Sequence, residues 1–205
     1  MYSRKSGLTL GFHGCDEDIV KSILLGKELI KHSNNAYDWL GHGIYFWEGS
    51  PSRAWEYANT LKNNPLQATS PIKKPVVIGA IIDLGHCLDF LDYENLQLLK
   101  TAHDFLIETN IKSGKPIPSN KKGKESSDLL LRNLDCAVIE TLHKVRREND
   151  LTPYDSVKGV FWEGKEIYHD AGFREKDHIQ LCIINPNCIK GFFLPRSVDL
   201  KYNYV

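Results

Sequence analysis

The residue types best suited to chemistry in this chain lie in three short segments that are far apart in sequence. The first is "FHGC", where His13 and Gly14 close an apolar alternation. The second is "GHGIYFWEGSPSRAWEYA", which carries His42, Tyr45, Ser52 and Tyr57. The third is "HIQLCIINPNCIKGFFLP", with Gln180 inside an apolar run. An imidazole, an unsubstituted peptide, a phenol ring and an amide offer hydrogen bonds, close approach and a stacking face. Gathered in one place, they could hold one ligand. Taken singly, each also has a plain structural reading. A histidine at a strand end often just hydrogen-bonds, a tyrosine after Gly-Ile packs, and a glutamine in a strand faces water.

Metal and disulfide chemistry find no support. The five cysteines (Cys15, Cys87, Cys136, Cys182 and Cys188) are odd in number, scattered, and form no C-x-x-C pair. That is neither a disulfide framework nor a zinc site, and no metal is expected. Cys182 and Cys188 sit in apolar surroundings and read as small hydrophobes.

The elements that must position these groups follow from periodicity. "LTLGFHG" alternates like a strand, and "DEDIVKSILLGKEL" continues as a helix capped by Asp16 or Asp18 and ended by Gly26. After the polar loop "KHSNNAYD" comes the aromatic strand "GIYFW". "SPSRAWEYANTLK" reads as a helix with Ser50 as N-cap and Pro51 at its first position. "KKPVVIGAIIDLG" is apolar nearly throughout and predicts a central strand. Trp47 and Trp162 read as core or pocket wall.

The middle of the chain changes character. "YENLQLLKTAHDFLIETN" and "SSDLLLRNLDCAVIETLHKVRREN" are helical, separated by the Pro/Gly/Lys-rich "IKSGKPIPSNKKGK". Strand patterns then return in "VKGVFWEG", "HIQLCIINP" and "IKGFFLP". Strands at both ends with helices between them predict one α+β domain over 1–205 with a helical insertion at about 90–156. Its length of 205 residues suits one core.

Composition excludes little. The 26 basic and 26 acidic residues cancel, so only a local patch could attract a polyanion. Lys112, Lys115, Lys121, Lys122 and Lys124, with Arg146 and Arg147, are the candidates for phosphate contacts, though a solvated loop is the simpler reading. The N-terminus lacks the apolar stretch of a secretory signal, and no run reaches the roughly 18 apolar residues of a membrane span. The expectation is a cytoplasmic protein without membrane contact.

The order and spacing of the three segments resemble the His-Tyr-Glu class of ADP-ribosyltransferases, which contains the poly(ADP-ribose) polymerases, tankyrases and diphtheria-type toxins. The first motif of that class is His-Gly and a small residue at a strand end, here "FHGC". Its second is Gly-x-Gly-Ile-Tyr-Phe and a helix with Ala and a further Tyr, here "GHGIYF" and "RAWEYA". Its third is a Glu-led strand followed by a short turn and another strand. Gln180 stands where that glutamate should be. The resemblance covers about Leu8 to Asp89 and Val157 to Pro195 and implies a split antiparallel β-sheet core.

The resemblance also implies roles. NAD would be the co-substrate, and cleavage of its nicotinamide–ribose bond passes through an oxocarbenium-like state. His13 would hydrogen-bond the 2′-OH of the adenosine-side ribose, and Gly14 would let the nicotinamide carboxamide approach its peptide. Tyr45 would stack on the nicotinamide ring, with Tyr57, or else Trp55, closing the other side. Ser52 would contact the carboxamide in the place that Arg53 disturbs, and His42 would reach the diphosphate or adenosine. Gln180 would orient the ribose without the charge of a glutamate, which argues for single ADP-ribose transfer. Arg174, Glu175 and Asp177, just before Gln180, are candidates for the acceptor loop, and the two acids for the missing charge.

The function that follows as an expectation is mono-ADP-ribosyl transfer from NAD to a macromolecular acceptor, protein, RNA or DNA. A bacterial toxin or effector of this kind implies an inhibitor or antitoxin partner. A catalytically silent NAD or ADP-ribose-binding module is the alternative from another class. An NAD-using RNA 2′-phosphotransferase ranks lower, because its sites are more basic.

Overall fold

The computed structural model describes residues 7–65, 70–123 and 128–203. It is an α+β molecule built on a seven-stranded mixed sheet. The strands are β1 (Thr9–Asp16), β2 (Ile44–Glu48), β3 (Pro75–Ile82), β4 (Cys87–Asp89), β5 (Ser156–Phe161), β6 (His178–Ile183) and β7 (Ile189–Phe193). The helices are α1 (Glu17–Leu24), α2 (Pro51–Asn63), α3 (Tyr93–Ser113) and α4 (Asn133–Glu148). Across the sheet the order is β4-β5-β6-β2-β1-β3-β7.

Local chemistry explains the helix starts. Asp16, not Asp18, caps α1, its carboxylate accepting from the Asp18 amide at 3.1 Å. Pro51 opens α2, but Ser50 makes no side-chain cap bond. Asp92 caps α3, and Gly114 ends it in the left-handed conformation. The helix expected from "SSDLLLRNLD" begins later, at Asn133. Before it, Leu131 pairs with Lys121 in an isolated bridge, and Asp128 accepts from the Gly164 amide at 2.8 Å. Those tertiary partners hold the segment extended. Lys124 lies outside the described residues.

Alternation along the strands builds two faces. Leu181 and Ile183 of β6 pack with Phe46, Ile78 and α1 on one face. Cys182 points to the other, where Leu88 and Val157 meet Ala102, Val138 and Leu142 of the two long helices. The 90–156 segment is therefore the crossover between the parallel neighbours β4 and β5, and its helices cover one half of that face. α2 covers the other half through Ala54, packed with Phe12 and Trp47.

The sheet opens between those halves. β1 pairs with β3 along its whole length, from Thr9↔Ile82 to Asp16↔Pro75. β2 pairs with β6 from Trp47↔Gln180 to Ile44↔Ile183. Between β1 and β2 the ladder holds only Gly11↔Glu48 and Phe12↔Trp47. Beyond that point, at His13 and Tyr45, the two halves separate.

Candidate functional site

The separation makes a cleft of about 620 Å³, lined by His13, Gly14, Tyr45, Tyr57 and Gln180 among others. Residues from β1, β2, α2 and β6 thus meet at one opening, although 167 positions separate His13 from Gln180 (180 − 13). Its volume lies within the range of ligand clefts, about 300–1,000 Å³.

The His13 side chain bridges the gap. Its Nδ1 lies 2.8 Å from the Tyr45 backbone oxygen. A carbonyl only accepts, so Nδ1 carries the hydrogen, and in the neutral ring Nε2 is left as an acceptor. Burial pushes the His13 pKa down, against a smaller opposing effect of the bond to Tyr45, so the ring is neutral near pH 7. The ring also rests edge-on against Phe46 at 6.0 Å.

Tyr45 is held at both ends. Its hydroxyl donates to the Gly41 carbonyl at 2.8 Å and accepts from the Leu40 amide at 3.0 Å. Burial pushes its pKa well up, so the phenol keeps its proton. These bonds fix the ring and fasten the 31–41 loop over it. That loop supplies a cleft wall with His32, Asn35, Asp38 and Trp39. It reads in sequence only as a polar loop, with no periodicity to mark it.

Gln180 is oriented by Trp39. The indole nitrogen lies 2.6 Å from Gln180 Oε1. Indole N–H can only donate, so the amide oxygen faces Trp39 and the NH2 group turns the other way. The acceptor that glutamine shares with glutamate is therefore engaged by the protein, and the free end of the side chain is a donor. Gly159, opposite Gln180 on β5, leaves room for the Trp39 ring, since a Cβ there would lie 2.8 Å from it.

Gly14 is needed for packing. A Cβ on it would lie 2.1 Å from the Ala54 carbonyl oxygen and 3.0 Å from the Ala58 methyl. α2 docks its backbone on this glycine, which brings Arg53 and Tyr57, one helical turn apart, to the cleft.

Arg53 occupies the place expected of Ser52. Its guanidinium is 11% exposed, pairs with Glu56, reaches Glu163 at 2.6 Å, and lies over the Trp47 ring at 5.5 Å. Ser52 points away, exposed beside Ser50 Oγ at 3.5 Å, and does not line the cleft. The helical turn places one of these neighbours inward and the other out. Trp55 is likewise 50% exposed and outside the cleft, leaving Tyr57 as the ring on that side.

His42 is a second displacement. Its backbone amide donates to Glu140 Oε1 at 2.8 Å, and its ring lies 3.7 Å from Cys136 Sγ. It packs on α4, outside the cleft lining. The acceptor-loop candidates also serve structure. Arg174 reaches Asp128 at 2.9 Å and lies over Trp162 at 5.8 Å, beside a shallow depression with Lys165 and Tyr168. Asp177 accepts from the Arg174 amide at 2.8 Å, and Glu175 from the Lys165 amide at 3.3 Å. Neither acid lines the cleft. Trp162 is 62% exposed rather than core, whereas Trp47 is buried and lines the cleft.

The carboxylates that do line the cleft are Asp16, Asp38 and Glu163. Asp16 is engaged by the Lys73, Lys74 and Asp18 amides, and its bond from the Lys74 amide leads in holding its pKa down. Glu163 lies in the tail of the stretch "VKGVFWEG", two residues past the end of β5, a position that gives no local sign of inward direction.

Several cleft residues hold buried polar atoms without partners among the described residues: Trp47 Nε1, Arg53 Nε and His178 Nε2. Buried polar groups are normally satisfied, so a polar ligand or ordered water suits this space. Burial also pushes the His178 pKa down, and its ring stacks on Phe161 at 5.5 Å. The cysteines are buried thiols; burial pushes Cys15 up to about 11 and Cys136 to about 12. Among the described residues no cluster of His, Cys, Asp and Glu side chains is placed to hold a metal, and no helix is long and apolar enough to cross a membrane.

The lysines of 112–122 form no cleft wall; Lys112 pairs with Glu108, and Arg146 donates to the Thr152 carbonyl at 2.6 Å while lying over Tyr154. Compared with protein-family models, with curated proteins and with solved structures, the chain matches none.

Proposed function

We propose that the cleft binds NAD and that the protein is a mono-ADP-ribosyltransferase acting on a macromolecular acceptor. The observation that carries this reading is the meeting of His13, Gly14, Tyr45, Tyr57 and Gln180 at one opening in the sheet. Each came from a motif of the His-Tyr-Glu resemblance, and nothing in their sequence separation required them to meet.

The chemistry available suits a dinucleotide with a flat cationic ring. Neutral His13 offers an acceptor at Nε2 to a ribose hydroxyl. Tyr45 and Tyr57 offer ring faces, and an offset stack contributes about 0.5–1.5 kcal/mol beyond burial. The Gln180 amide offers a donor to ribose oxygens. Holding the ribose and the leaving nicotinamide in one geometry is the main service such a site can give.

The acceptor is a protein or nucleic acid reached from the cleft mouth near the 163–177 loop. Action of this kind on the host cell calls for an inhibitor partner. A second reading, an NAD-binding module without turnover, is favoured by the engagement of the Gln180 oxygen with Trp39. The NAD-using RNA 2′-phosphotransferase reading ranks below both, since the lining mixes Lys31 and Arg53 with three carboxylates.

The deciding experiment incubates the protein with labelled NAD and separated protein, RNA and DNA fractions. Transfer to one fraction with nicotinamide release supports the transferase. Binding without release supports the module, and absence of binding removes both readings.

A further inference from the structure

The cleft contains an acidic group that the three motifs do not supply and that no cation among the described residues pairs with. Asp38 and Glu163 both line it. Glu163 lies 2.6 Å from Arg53, so its charge is already matched. Asp38 is 9% exposed. Among the described residues its carboxylate takes neutral donors alone, the Asn35 amide at 2.8 Å and the Asn35 side chain at 3.4 Å. A buried carboxylate without a cation favours a positive charge brought to it.

Its neighbours in the cleft are the residues that the NAD reading assigns to the ribose and nicotinamide. Trp39, the next residue, holds Gln180 at 2.6 Å. The carboxylate is also within electrostatic reach of both tyrosines: burial leads in pushing the Tyr45 and Tyr57 pKa values up, and the charge of Asp38 adds to it at each.

We propose that Asp38 supplies the negative charge that Gln180 lacks, opposite the ribose C1′ as nicotinamide departs. This inference rests on the NAD reading above. In that step the C1′–N bond breaks and its electron pair goes to the pyridinium nitrogen, which becomes neutral. C1′ and the ribose ring oxygen share the positive charge until an acceptor oxygen bonds to C1′ and its proton passes to solvent. Asp38 forms no bond in this step. A placed charge of this kind acts more strongly in a water-poor site than in bulk solvent.

The test measures nicotinamide release with water as acceptor, where NAD and water give ADP-ribose, nicotinamide and a proton. Wild type, Asp38→Asn and Asp38→Asn/Gln180→Glu are compared as full chains, with thermal melts. Asparagine keeps an oxygen for the Asn35 amide, so the turn keeps its bond. The expected result is a fall in kcat of about 100-fold or more for Asp38→Asn, with KM for NAD little changed. The double variant is expected to recover about tenfold or more, because it returns a carboxylate beside the same ribose. Asp38→Ser carries the same comparison if Asp38→Asn lacks a cooperative melt. Release at the wild-type rate by Asp38→Asn, a loss confined to KM, or a double variant no faster than Asp38→Asn overturns the inference and leaves the NAD reading standing. No release by wild type removes the transferase reading and this inference together, and leaves NAD binding to be decided by the binding measurement.

Discussion

His13 Nδ1 and the Tyr45 carbonyl oxygen, 2.8 Å apart, join β1 and β2 at the point where their ladder has ended. A parted pair of strands leaves backbone acceptors without ladder partners, and such groups are costly when buried. The imidazole fills that role from the side, so the sheet can open without stranding the Tyr45 carbonyl. One ring thus stabilises the opening and presents its other nitrogen to the space created.

The state of that ring sets a pH dependence. Burial leads in lowering the pKa values of His13, His143 and His178 below the usual 6.5. Above that value both folded and unfolded chains hold these rings neutral, and stability is complete. As the pH falls through it, the unfolded chain takes up protons that the folded chain resists, so stability is lost. Melting temperatures should stay level down to about pH 6.5 and then fall, before the carboxylates titrate. A melting temperature that rises between about pH 7 and about pH 5.5 would contradict the buried neutral rings.

Gly14 separates packing from ligand access. Alanine there would meet the Ala54 carbonyl oxygen at 2.1 Å, whereas alanine at Gly191 would meet nothing within 4 Å. Gly14→Ala should cost about 1–3 kcal/mol or more in urea unfolding. Gly191→Ala should stay within about 0.5 kcal/mol of wild type. Equal midpoints for the two would show that α2 does not dock as described.

Tyr45 can be dissected by its hydroxyl and its ring. Tyr45→Phe keeps the stacking face but takes the hydroxyl acceptor from the Leu40 amide and leaves the Gly41 carbonyl with only the Cys182 thiol at 3.6 Å, a loss of about 1–3 kcal/mol. Tyr45→Ala removes the face as well and should abolish labelling from NAD. Labelling undiminished in Tyr45→Ala would take this ring out of the site.

The Trp39–Gln180 bond makes a paired prediction. Gln180→Glu keeps an oxygen for the indole and adds charge, so nicotinamide release should rise. Trp39→Phe removes the donor at 2.6 Å and lets the amide turn, and release should fall about 10- to 100-fold through misplacement alone. If Trp39→Phe turns over like wild type, orientation of Gln180 does not matter to the reaction.

Arg53 carries a stability prediction. Its pair with Glu163 is mostly buried, Arg53 being 11% and Glu163 18% exposed, whereas its second partner Glu56 is 41% exposed. Arg53→Ala leaves Glu163 without its cation and should cost about 3–5 kcal/mol. Arg53→Lys should recover only part, because a point charge cannot replace the planar fork across two acids and an indole. A melting temperature unchanged in Arg53→Ala would show that the ion pairs contribute nothing.

Much of this arrangement was legible in the amino-acid order. Alternation marked β1, the aromatic run marked β2, Pro51 marked the start of α2, and the order of three motifs brought His13, Gly14, Tyr45, Tyr57 and Gln180 into one hypothesis. Those signals are local, because strand and helix periods depend on neighbours in the chain. Only the tertiary structure decided that Arg53 faces the cleft while Ser52 and His42 do not, that Trp39 takes the Gln180 oxygen, and that Asp16, Asp38 and Glu163, not Glu175 or Asp177, are the acids that line it. The reason is physical: each of those outcomes depends on where one ladder stops and how α2 and the 31–41 loop settle against it. Contacts between distant segments fix that, and no residue's immediate neighbours encode it.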